Sequence, residues 1–144
     1  MKYKEFEAKA KEWNGKTCIF GAGLSGRTWV YDMAVAAGFF VDFFCDNMYE
    51  KGILIVDELK TISLQELYNY GDNVLILLAI KEESQEQVVN QLVKNGITNI
   101  IKMGYFFLQD CYFEIEKASD EVKTRYRIIM DDAEFLKKRY DYLS

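Results

Sequence analysis

The chain contains no histidine. Ser-His and Cys-His nucleophilic catalysis are therefore closed to it, and so are His-ligated metals. Proline is also missing, so no turn rests on a cis X-Pro bond. Cysteine is scarce: Cys18, Cys45 and Cys111 are too few and too scattered for a disulfide framework or a zinc site. Cys18 and Cys45 stand inside apolar runs and read as reduced core thiols, since no neighbour suggests a polarised thiolate. Positive charge is in deficit, with 18 Lys and Arg against 23 Asp and Glu. The resulting net charge of −5 argues against nucleic acid as a partner. No apolar run approaches the roughly 20 residues of a membrane span. The stretch "MKYKEFEAKAKEW" is charged throughout and is no secretory signal. The expected compartment is the cytoplasm.

What is present points to one domain over residues 1–144. A length of 144 residues suits a single core, and half of the residues are hydrophobic. Tyr3, Phe6, Ala10 and Trp13 recur on one face of a helix over 2–13, and Asn14-Gly15 ends it. "TCIF" (17–20) is a short apolar strand. Leu24 to Ala37 has helical character, with Gly38 as its stop. "FFVDFFC" (39–45), "ILIV" (53–56), "VLILLAI" (74–80) and "ITNIIKM" (97–103) read as further strands. Ser63 and Glu66 form a capping box for a helix over Leu64–Tyr70, followed by the turn Gly71-Asp72-Asn73. Glu82 to Lys94 reads as a helix with Val88, Leu92 and Val93 facing inward. Strands alternating with helices at short spacing predict βαβ units and a parallel sheet. The expected fold is α/β, a Rossmann-like doubly wound sheet of five strands in the order 3-2-1-4-5, with an N-terminal helix and a long C-terminal helix.

Gly21, Gly23 and Gly26 make a G-x-G-x-x-G between the first strand and the helix after it. Each glycine has its own role. Gly21 allows the tight turn, Gly23 lets a phosphate approach the backbone, and Gly26 lets the helix lie close to the sheet. The N–H groups around Leu24, Ser25 and Gly26 would face an anion with the helix dipole behind them. The Ser25 hydroxyl and Arg27 are candidates to join them. Asp46 closes the second strand about 20 positions beyond the third glycine, where an acid accepts hydrogen bonds from a ribose diol. Asn47 stands beside it. An aspartate there disfavours a 2′-phosphate, so NAD or a uridine or adenosine nucleotide is expected, nucleotide-sugars included. A purely structural role for Asp46, as a turn residue in "CDNMYEKG", is the competing reading.

Read in order, "KTCIFGAGLSGR", "GFFVDFFCDN", "KGILIVDELKTISLQEL", "NVLILLAI" and "QLVKNGITNII" resemble a family of small Rossmann-like domains of bacterial surface-polysaccharide and sugar-modifying proteins. The resemblance covers roughly residues 16–104. In that family the domain often precedes a glycosyltransferase, sugar-nucleotide dehydratase or methyltransferase domain. The resemblance implies a core over 16–104 that binds a nucleotide or nucleotide-sugar, with Gly21, Gly23, Gly26 and Asp46 at the matching positions. Residues 105–144 fall outside it and read as a helical extension too short to be a catalytic domain.

No catalytic constellation is visible, and no residue is assigned to catalysis or to a metal. No Tyr-x-x-x-Lys stands where a short-chain dehydrogenase site needs it. Glu82-Glu83 and Asp131-Asp132 are adjacent on helices, so the two carboxylates of each pair diverge. In the tail, Ser119 can cap a helix running to about Leu143. Val122, Tyr126, Ile129, Ala133, Leu136, Tyr140 and Leu143 make a heptad-like stripe along it. That stripe packs on the domain itself or forms a homodimer seam. Three functional readings follow. The leading one is a non-catalytic nucleotide-binding accessory or sensor module in glycan metabolism. The others are a minimal NAD-dependent oxidoreductase or sugar-nucleotide enzyme completed by oligomerisation, and a ligand-free interaction module.

Overall fold

The computed structural model describes residues 2–23, 29–48, 51–56, 58–127 and 131. In chain order the elements are α1 (Tyr3–Glu12), β1 (Lys16–Phe20), α2 (Tyr31–Ala37), β2 (Phe43–Cys45), β3 (Leu54–Val56) and β4 (Leu59–Lys60). There follow α3 (Leu64–Tyr70), β5 (Val74–Leu78), α4 (Glu82–Lys94), β6 (Asn99–Lys102), α5 (Tyr105–Glu116) and α6 (Asp120–Arg125). Four strands form one parallel sheet in the order β2-β1-β5-β6. The fold is α/β and Rossmann-like.

The period-two alternation of each strand sends side chains to both faces, and both faces are covered. On one side Ile19, Phe44, Leu75, Leu77 and Ile101 meet Phe6 of α1, Met33 of α2 and Leu108 and Cys111 of α5. On the other, Cys18, Phe20, Cys45, Ile76 and Leu78 meet Leu67 of α3 and Val88 and Leu92 of α4. Local signals in the sequence account for the framing helices. The Ser63 hydroxyl oxygen accepts the Glu66 N–H at 3.1 Å, capping α3 as the Ser-Glu spacing predicts. Gly38 closes α2, its N–H bonded to Ala34 and Val35 carbonyls.

Two expectations need correction. The segment 53–56 is not a fifth strand of the sheet. It turns back on itself, and β3 pairs antiparallel with β4 in a two-stranded ribbon. The sheet edge beside β2 is met instead by a single bridge, Phe44 with Thr61, and by the Ile62 N–H donating to the Phe44 carbonyl at 2.8 Å. Val93 is 51% exposed, and Gln85 takes an inward place on α4. Val88 and Leu92 lie one helical turn apart and define the buried face, from which Val93 is rotated by about 100°. Residues 105–116 form a helix of their own, separate from α6.

Ser119 does cap α6, accepting the Val122 N–H at 3.5 Å, and the helix ends at Arg125. Of the stripe, Tyr126 is fully buried against α1. Its ring meets Tyr3 edge-on at 5.7 Å, and its hydroxyl donates to Glu7 at 2.5 Å. The same Glu7 oxygen accepts from Arg125 at 2.7 Å. Ile129, Ala133, Leu136, Tyr140 and Leu143 lie outside the described residues. Among the described residues no helix is long and apolar enough to cross a membrane.

Two outcomes follow. Tyr126→Phe removes one hydrogen bond to a carboxylate that keeps Arg125, so urea unfolding should show a loss of about 1–2 kcal/mol. Burial holds the Cys45 and Cys111 thiols protonated up to about 12. Above their ordinary value of 9.0 the unfolded chain therefore binds fewer protons than the folded one. Stability should be fully present below pH 9 and fall as pH rises toward about 12, which a pH series of urea melts will show.

Candidate nucleotide site

β1 lies between β2 and β5, and the chain leaves the two central strands toward opposite faces. After β1 it passes through α2, on the face holding Ile19 and Leu77, to reach β2. After β5 it passes through α4, on the other face, to reach β6. The C-terminal ends of β1 and β5 therefore border a crevice at a topological switch point, where open α/β sheets take their ligands. The ladder runs right up to it: Gly21 N–H donates to the Cys45 carbonyl at 2.8 Å, and Ala79 N–H donates to the Phe20 carbonyl at 2.8 Å.

Two of the three glycines are described, and they differ. Gly21 has φ +118°, and a Cβ on it would stand 2.5 Å from the Ala79 carbonyl oxygen. Glycine is required there by backbone conformation and by the close approach of β5. Gly23 has no such reason. Its φ is not in the left-handed range, and no described residue lies within 4 Å of a Cβ built on it. Among the described residues nothing crowds Gly23, in contrast to Gly21.

Asp46 stands at the end of β2 and reaches the glycine turn. One carboxylate oxygen accepts the Ala22 N–H at 2.7 Å, across 24 positions of sequence. The other accepts the Met48 N–H at 2.7 Å, closing an Asx turn. The structure thus brings Gly21, Gly23 and Asp46 together. Asn47 points elsewhere. It exchanges a reciprocal pair of 3.0 Å amide hydrogen bonds with Gln91, which also donates to Tyr68 at 2.9 Å. That network ties the loop after β2 to α3 and α4. Leu24, Ser25, Gly26 and Arg27 lie outside the described residues.

Reasoning from the sequence missed the Ala22–Asp46 bond, the Asn47–Gln91–Tyr68 network and the crowding at Gly104. Only the spacing of Asp46 from the glycines signals the first. Neither of the others has a local signature. A Cβ on Gly104, at the start of α5, would overlap the Glu82 carboxylate. Glycine there lets the starts of α4 and α5 come together at the rim.

Among the described residues no three His, Cys, Asp or Glu are placed to hold a metal. The three thiols are buried, which disfavours the thiolate a nucleophile needs. Burial, then Cys45 and Asp42, push the Cys18 thiol well above its ordinary value, and burial likewise raises Cys45. A groove of about 420 Å³ lies at the opposite end of the sheet, lined by Trp13, Lys16, Phe40, Asp42 and Tyr70. Its two charges are spent on each other in the Lys16–Asp42 pair at 3.6 Å. It contains none of the glycine-turn residues, so the switch-point crevice is the stronger candidate.

Neither a protein-family model nor a curated protein matches the chain. Solved structures do. The chain is similar to RSP, a Rex-family repressor, at 18% identity and a TM-score of 0.50, over 95% of this chain and 70% of that one. The structure of RSP in complex with β-NAD+ and operator DNA matches at 18% identity and a TM-score of 0.49, over 99% and 69%. The likeness is one of fold. It also corrects the exclusion of nucleic acid drawn from net charge. A repressor shares this fold, so net charge alone does not exclude a nucleic-acid partner.

The two glycines should separate by experiment. Gly21→Ala should lower stability by roughly 2–4 kcal/mol through strain and overlap with Ala79. Gly23→Ala should change it by less than about 0.5 kcal/mol. Thermal melts of the two ligand-free variants measure the difference.

Proposed function

We propose that this chain is a nucleotide-binding domain that holds NAD at the C-terminal edge of its sheet and performs no reaction on it. The observation that carries the reading is the pairing of an open Gly23 with Asp46 across the switch point. Gly23 offers a backbone a phosphate can approach. Asp46 has spent one lone pair of each oxygen on a backbone N–H and keeps the others for a ribose diol. Its charge repels a 2′-phosphate, which favours NAD over NADP and makes NAD the first ligand to test.

Residues to bind and orient are present, and among the described residues none is placed to move a proton or a hydride. With no histidine in the chain and every thiol buried, the site suits a sensor whose output is a change in stability or in contacts made elsewhere. The resemblance to domains of sugar-modifying proteins keeps nucleotide-sugars in the test panel. The comparisons lend the glycan setting no support.

A thermal-shift screen of wild type and Asp46→Ala with NAD, NADP, UDP, UDP-sugars and ADP tests the reading. A ligand at 100 times its dissociation constant adds about 2.7 kcal/mol, roughly 8–15 °C at this size. The expected result is a shift with NAD that exceeds the shift with NADP and is lost in Asp46→Ala. No shift with any nucleotide would overturn it.

A further inference from the structure

Asp46 does more in this fold than face a ribose. The backbone ladder joining the ends of β1 and β2 stops at the Gly21 N–H, which the Cys45 carbonyl accepts. The next N–H along the glycine turn, that of Ala22, is accepted by the side chain of the next residue along β2, Asp46. A carboxylate thus adds one more rung to the ladder, beyond the point where the two backbones have parted. Its second oxygen holds the Met48 N–H, so the loop after β2 is fastened to the same group.

From this we infer that Asp46 is a positioning residue for the phosphate turn, formed before any ligand arrives, as well as a partner for the diol. The inference rests on the proposed nucleotide site and deepens it. Ala22 immediately precedes Gly23, and its N–H belongs to the Gly21–Ala22 peptide, so the bond fixes that plane one residue ahead of the cradle. A charge-assisted bond of 2.7 Å between groups 24 residues apart is a tertiary constraint on the turn. The consequence is a linkage between the two halves of a ligand. A nucleotide whose sugar carries no diol still needs Asp46, because its phosphates need the turn that Asp46 holds.

The role is separable from direct contact by pairing a change in the protein with a change in the ligand. ADP and 2′,3′-dideoxyadenosine 5′-diphosphate are titrated into wild type, Asp46→Ala and Asp46→Asn. Asp46→Ala should weaken both ligands, each by about tenfold or more. Asp46→Asn, with a single carbonyl oxygen for two N–H groups, should fall between. If the dideoxy ligand binds wild type and Asp46→Ala within about twofold of each other while ADP does not, Asp46 acts on the diol alone and the inference is overturned. Amide exchange of Ala22 in the ligand-free wild type supplies a second reading. The inference requires protection of at least about tenfold over an open chain, lost in Asp46→Ala. Exchange at the open-chain rate overturns it whatever the variants do. If wild type binds neither nucleotide, the proposed function fails, and the exchange measurement still decides whether Asp46 holds the turn.

Discussion

Everything at the candidate site depends on β1 being central. Its residues from Thr17 to Phe20 are all buried, so the strand needs a neighbour on each edge and a helix layer on each face. β2 and β5 supply the edges, both parallel to it. Parallel pairing forces each connection to cross over a face of the sheet, and here the crossovers after β1 and β5 use opposite faces. The crevice between their C-terminal ends is a geometric consequence of that arrangement, present before any side chain is chosen to line it. The turn leaving β1 is squeezed against Ala79, just beyond β5, which is why Gly21 is glycine.

Asp46 ties this edge together. Through Ala22 it reaches the turn after β1, and through Met48 it fastens the loop after its own strand. Asn47 extends the same attachment to the far layer through Gln91 and Tyr68. At this edge the backbone N–H groups of Ala22 and Met48 are held by the Asp46 side chain. Such an edge is preorganised to bind. The chain has no histidine, and burial raises the Cys18 and Cys45 thiols above their ordinary value.

The fold was legible where the signal was local and repeated. Helix α1 shows its buried face at Tyr3 and Phe6, and α3 announces itself through Ser63 and Glu66. "VLILLAI" could only be a strand buried on both faces. Reading failed where two short segments compete for the same partner. "ILIV" looks like a sheet strand, but Leu59 and Lys60 follow closely enough to pair with it first. Val93 failed for a related reason: an apolar residue beside Leu92 reads as core until the packing of α4 selects one face. The glycine turn and Asp46 were both visible as candidates, whereas the bond between Ala22 and Asp46 was not.

Composition and pattern specify alternating strands and helices, a glycine-rich turn between the first strand and its helix, an acid at the end of the second strand, and no histidine. These are properties of residue type and spacing, which need no knowledge of the folded chain. Tertiary structure decided which of those residues meet. It placed Asp46 against the Ala22 N–H, turned Asn47 toward Gln91, removed β3 from the sheet and buried Tyr126 against α1. Each of these is a contact between segments distant in sequence or a choice between competing partners. Neither has a periodicity to read, because the energy that selects it exists only once the layers have packed.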